Sequence, residues 1–137
     1  MTATRASLAL AMLVGAVPVT ASAAVGPGPD STVVRNGKNR VSLSISPNHG
    51  GLVDNTFTVR WTQGARRVHG TVRAVFTMQE MAMPSLRLAL RRGSDGVYRG
   101  TGRMLTMPGR WEIRLQLRER GPPTEVAVVD HVTLGFD

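Results

Sequence analysis

The most distinctive chemistry in this chain is carried by methionines. Met78, Met81 and Met83 fall within Phe76-Thr77-Met78-Gln79-Glu80-Met81-Ala82-Met83-Pro84, and Met104 and Met107 within Met104-Leu105-Thr106-Met107-Pro108-Gly109. With Met1 and Met12 near the N-terminus, these make up all seven methionines. Thioether sulfur is a soft, uncharged ligand that suits Cu(I) and not Mg or Ca, so several methionines brought together make a cuprous site. Methionine is also a flexible filler of irregular cores and adaptable surfaces, which is the ordinary role of any single one.

Other chemistries fail on inventory. There is no cysteine, so neither a disulfide framework nor a thiolate metal site can form. The three histidines, His49, His69 and His131, show no zinc spacing, and no glycine-rich segment opens a helix that could hold phosphate. No nucleophile, base and orienting group combine, so an enzyme is not expected. The formal charge is +8, with Lys38 the one lysine among seventeen basic residues. Such a balance favours anionic membranes, acidic partners or nucleic acid, but single-strand recognition needs stacking aromatics among the arginines. The aromatics here fall mostly at core-like positions, so no nucleic acid is expected and the charge reads as a solvated surface.

Residues 1–23 read as a secretory signal, with Arg5 in the n-region, an apolar run from Ser7 to Val19 and Ala21-Ser22-Ala23 as the cleavage site. Gly15 and Pro18 break the run, and it is shorter than the roughly 20 residues that span a bilayer, so no transmembrane span is expected in the mature chain. The reading places the protein in the periplasm or outside the cell. Residues 24–40, rich in Gly, Pro, Asn and polar residues, read as a flexible lead-in, with the question of a short strand at Val33-Val34 left open. Residues 41–137 then form one domain.

Period-2 alternation recurs through that domain between turn residues. Strands are expected at Val41 to Ser46, Phe57 to Trp61, Val68 to Thr77, Leu86 to Arg91, Val97 to Arg103, Arg110 to Arg118 and Glu125 to Phe136. About seven strands in a domain of this size point to an all-β, immunoglobulin-like antiparallel β-sandwich. Its core is expected to include Leu43, Ile45, Val59, Phe76, Leu88, Trp111, Ile113 and Leu115. Gly100 and Gly102 mark their strand either as an edge or as a place of close approach. Asp130 interrupts the apolar parity of the last strand, through either a bulge or a polar contact.

If successive strands alternate in direction, three connections leave the same end: Pro47 to Thr56 with His49, Met78 to Ser85, and Met104 to Gly109. Sequence-distant thioethers then meet at one rim. Met81 and Met83 share a face if that segment is extended, and Met78 has the inward parity of Phe76, either completing the ligand set or capping the core. His49 is either a ligand or an exposed loop residue. His131, outward on the last strand toward the same end, is a second candidate imidazole, while His69 lies at the far end. Glu80 is a hard ligand expected to face solvent.

The run Val75-Phe76-Thr77-Met78-Gln79-Glu80-Met81-Ala82-Met83, then Gly96-Val97-Tyr98-Arg99-Gly100, then Met107-Pro108-Gly109-Arg110-Trp111-Glu112-Ile113, resembles the YtkA-like and FixH-like exported domains over about residues 41–117. The resemblance implies an immunoglobulin-like sandwich kept in the company of copper-handling proteins or cytochrome oxidase assembly factors. Its methionine positions fall on Met78, Met81, Met83 and Met107. The expected function is Cu(I) binding through Met78, Met81, Met83 and Met107 with His49 or His131, for storage or delivery to a copper-handling or membrane-bound partner protein, by a monomer or weak dimer. The alternative is an interaction module whose methionine-lined rim docks a partner without metal.

Overall fold

Alternating sequence becomes alternating burial. The structure, a computed structural model, describes residues 30–133. The expected signal sequence and the last apolar positions expected in the final strand, Leu134 and Phe136, lie outside the described residues. Among the described residues nine strands follow in order: β1 (Asp30–Asn36), β2 (Asn39–Ser46), β3 (Asn55–Gln63), β4 (Arg66–Arg67), β5 (Thr71–Met78), β6 (Leu86–Arg92), β7 (Tyr98–Gly102), β8 (Gly109–Arg118) and β9 (Thr124–Val132). In β8, Trp111, Ile113, Leu115 and Leu117 are buried while the residues between them are not. This is what a strand with one face on a core and one toward water requires.

Every pairing is antiparallel, and the hydrogen-bonded order is β1-β2-β3-β7-β6-β5-β8-β9, with the short β4 beside β3. One layer is β1-β2-β3-β7 and the other is β6-β5-β8-β9, joined where Arg91 and Arg92 of β6 pair with Arg99 and Tyr98 of β7. The end strands β1 and β9 approach one another, so the sandwich is nearly closed like a barrel. Closing the sheet removes most of the exposed strand edge that otherwise invites aggregation.

The core runs between the layers. Val59, Phe76, Trp111, Ile113 and Leu115 have no measurable exposure, and Leu43 and Ile45 are nearly as buried. Phe57 and Phe76 meet across the layers with ring centroids 4.8 Å apart, tilted by 39°. Fully burying each such side chain contributes about 1.5–3 kcal/mol, and in a chain without cysteine these contacts carry the fold. Leu88 is only half-buried, packed against the rim of the core.

The structure revises the expected lead-in and decides between stated alternatives at β7 and at Asp130. The segment expected to be a flexible lead-in carries β1, zipped to β2 from Asp30↔Ile45 to Asn36↔Asn39. The two-residue turn between them starts with Gly37 at φ 62°, a left-handed conformation that glycine adopts without penalty and that suits a tight hairpin. Val34, 2% exposed, is the part of β1 that enters the core. The glycine-rich strand β7 is internal, between β3 and β6, and the close approach is real: a Cβ at Gly100 would lie 2.5 Å from Leu90 Cδ2. There is no bulge at Asp130, because β8 and β9 pair one to one from Gly109↔Val132 to Leu117↔Thr124.

Candidate functional site

Three loops and the end of β9 build one rim of the sandwich. The β2–β3 loop is fixed first by Asn55, wholly buried at the start of β3, whose amide donates to the carbonyls of Pro47 at 2.8 Å and His49 at 3.0 Å. Backbone bonds then tie the loop to its neighbours: the Gly50 N–H donates to the Thr133 carbonyl and the Gly51 N–H to the Leu105 carbonyl. Leu105, 1% exposed, plugs the β7–β8 loop into the core. Asn48 and Asp130 are both buried, with the Asn48 amide nitrogen 3.5 Å from Asp130 Oδ1. The polar contact, not a bulge, accounts for the misfit in β9.

The β5–β6 loop is pinned at both ends. Met78 closes β5 opposite Trp111 of β8, the Gln79 N–H donates to the Arg110 carbonyl at 2.9 Å, and Thr77 and Ser85 share a hydroxyl hydrogen bond of 2.9 Å across the base of the loop. Glu80 is solvent-exposed yet not idle. Its carboxylate accepts the Arg110 N–H at 3.0 Å, which fastens the loop to the first residues of β8. In the β7–β8 loop the Met107 carbonyl accepts from Trp111 Nε1 at 2.9 Å, so the indole that anchors the core also holds the loop that carries Met107.

The candidate ligands are not equally available within this frame. Met81 is half exposed. Met83, Met104 and Met107 are partly buried and pack against the core. Met83 and Met81 therefore do not present alike, because the segment bends after Glu80 instead of continuing as a strand. Met78 is 6% exposed and packs in the core, as its inward parity implies. Its methyl and sulfur lie against Gly109, where a Cβ would come within 2.5 Å of the methyl.

His49 is the larger surprise. Expected either to bind metal or to sit exposed, it is buried at 9% exposure, with Nδ1 3.3 Å from the Gly50 carbonyl. A carbonyl only accepts, so in that contact Nδ1 is the donor. His131 is exposed on β9 opposite Arg110, as its parity implies. Among the described residues no three His, Asp or Glu side chains gather to hold an ion.

The opposite end is electrostatic. Glu119 accepts from Arg66 at 3.1 Å and from the His69 N–H at 2.9 Å, and these bonds, the guanidinium first, pull its pKa from 4.5 to about 2. Asp95 is held likewise to about 2 by Arg99 at 2.9 Å and by the Val97 N–H.

The sequence model of the YtkA-like family matches residues 33–116, from β1 through most of β8. The chain belongs to the YtkA-like family. The match starts before the lead-in's expected end, in agreement with β1 being part of the domain, and it includes the β5–β6 and β7–β8 loops. A YtkA-like chain of this kind is read at the coarsest level as an accessory domain. No curated protein and no solved structure matches the chain. Among the described residues no helix is long and apolar enough to cross a membrane.

The buried polar residues Asn48 and Asn55 were missed by the sequence reading. A signal existed for Asn55, which stands where the loop meets β3, since asparagine there serves to satisfy backbone groups that the turn leaves unpaired.

Proposed function

We propose that this YtkA-like domain is exported to the periplasm or cell exterior and carries Cu(I) as cargo on thioethers of its loop rim, storing it or passing it to a partner protein. The observation that carries the reading is that the β5–β6 and β7–β8 loops leave the same end side by side, fastened through Arg110 by Gln79 and Glu80. Met81 and Met83 are the primary ligands. Met107 and the exposed His131 complete the set, while Met78 and His49 sit too deep to meet an incoming ion without repacking. Neutral thioethers bind Cu(I) without losing a proton and without a thiolate, which fits a cysteine-free exported chain. The half-exposed Met81 is the sulfur that a partner reaches first.

X-ray absorption of the Cu(I)-loaded protein tests the ligand chemistry. A coordination shell containing sulfur is expected; a shell of nitrogen and oxygen alone would contradict the reading.

A second reading is favoured by one observation. Leu52, 87% exposed on the β2–β3 loop, adds an apolar side chain at the same end as Met81. Such a tip suits a metal-free docking surface, because flexible thioethers repack against varied partners. Under that reading Leu52→Ser abolishes partner binding and copper is irrelevant to it.

A further inference from the structure

The outer face of the β1-β2-β3-β7 layer carries cations in register. Across four strands one row reads Arg35↔Arg40↔Thr62↔Arg67. Arg60 stands one row further along β3 on the same face, opposite Ser42. All four arginines are exposed, and among the described residues none has a carboxylate within ion-pair distance. Directly opposed residues on neighbouring strands have Cβ atoms about 4.5–5.5 Å apart, and like charges placed there destabilise the sheet. The Arg35–Arg40 pair is such a placement.

The face is not flat at this point. Arg40, Arg60 and Arg67 surround Thr62 in a groove closed on the far side by the β6–β7 turn. That turn contributes Asp95, the one acid in the groove wall. Its carboxylate is already engaged by Arg99 and the Val97 N–H, and its own carbonyl accepts from Arg67 at 2.8 Å. The floor is the backbone of β3, held in place because Trp61, between Arg60 and Thr62, turns its side chain into the core at 2% exposure, where its indole N–H donates to Asn39 Oδ1 at 3.0 Å, an oxygen that Gln63 also engages. A fixed floor, a hydroxyl and three guanidiniums that make no ion pair with a described carboxylate form a receptor for a multiply charged oxyanion. Guanidinium forks match phosphate oxygens two at a time.

We propose that this groove binds phosphate groups, with Arg40, Arg60 and Arg67 as the cationic ligands and Thr62 as the hydroxyl donor. Phosphate is preferred to carboxylate by charge. A phosphate monoester carries about −1.5 to −2 at neutral pH and offers three acceptor oxygens, whereas a single carboxylate would leave most of the charge of three guanidiniums uncompensated. The phosphate can stand on a soluble polyphosphate or on a lipid headgroup, and the groove's chemistry is the same for both. It lies at the end of the sandwich away from the methionine loops, so the proposal is independent of copper.

Calorimetric titration at fixed ionic strength tests it, using sodium tripolyphosphate, vesicles of equimolar phosphatidylcholine and phosphatidic acid, whose headgroup is a phosphate monoester, and an oligoglutamate peptide as separate probes. The double variant Arg40→Gln, Arg60→Gln is compared with Arg87→Gln, Arg118→Gln, which removes equal charge from exposed, carboxylate-free positions on the other layer. Losing two charge-assisted hydrogen bonds should weaken phosphate binding by about tenfold or more, with the control changed only slightly. Groove-dependent binding of tripolyphosphate without vesicles assigns a soluble ligand; groove-dependent adsorption to vesicles assigns the headgroup. The proposal is overturned if neither phosphate probe binds, if both doubles lose affinity equally, or if oligoglutamate binds more tightly than either.

Discussion

A Cβ placed on Gly50 would lie 2.5 Å from the carbonyl oxygen of Leu105. The two residues belong to different loops, and that contact, with the Gly51 N–H donating to the same carbonyl, brings the β2–β3 loop against the β7–β8 loop. The obstacle is backbone, which cannot swing aside as a side-chain end could.

Gly50→Ala should therefore force the two loops apart and lower stability by about 1–3 kcal/mol, the usual cost of overpacking. Urea unfolding followed by tryptophan fluorescence measures this. An unchanged midpoint would mean that the loops yield freely and that the rim is not a fixed frame.

Asn55 gives a second test of the same frame. Its amide satisfies two carbonyls from a position with no exposure, so Asn55→Ala leaves the Pro47 and His49 carbonyls without that donor. Each orphaned buried group costs about 1–3 kcal/mol. A loss near the sum is expected in the same assay, with Asn55→Asp also destabilising because a carboxylate cannot donate to either carbonyl.

Stability at low pH should follow Glu119 and Asp95. Both have folded pKa values lowered to about 2, from ordinary values of 4.5 and 3.8. A depressed carboxylate adds stability that is fully present above its unfolded pKa and is lost as pH falls toward the folded one. The loss should fall between about pH 5 and pH 2, and because both groups are solvent-accessible, added salt should shrink it. Urea midpoints for Glu119→Gln should vary less over that window than those of the unsubstituted chain; identical profiles would remove Arg66–Glu119 from the account.

Much of the fold could be read from alternation because each long strand has one wet and one dry face. β8 and β2 were legible for that reason, and so was the gathering of three loops at one end, which follows from antiparallel order alone. β1 was not, since Val33-Val34 is too short an apolar run to display a period; the stronger signal was the Asn36-Gly37 turn that returns it to β2. β4 was hidden in the same way inside the arginine-rich turn after β3. At the rim, parity gave the burial of Met78 as one of two options and the exposure of His131 correctly. It could not reveal His49, because burial in a loop depends on which other loop covers it, here through Gly50, Leu105 and Thr133. Nor could it separate Met81 from Met83, since period-2 reasoning holds only while the chain stays extended, and this segment bends.

Cu(I) affinity, measured anaerobically by competition with a chromophoric chelator for the unsubstituted chain and for Met81→Leu, Met83→Leu side by side, is the decisive measurement for the copper reading. The exchange nearly conserves volume and should cost less than about 1.5 kcal/mol of stability, so a change in affinity reports the ligands and not the fold. The unsubstituted protein should withhold copper from the chelator, and the double variant should surrender it. Equal affinity in the two proteins, or no binding by either, would contradict the copper reading.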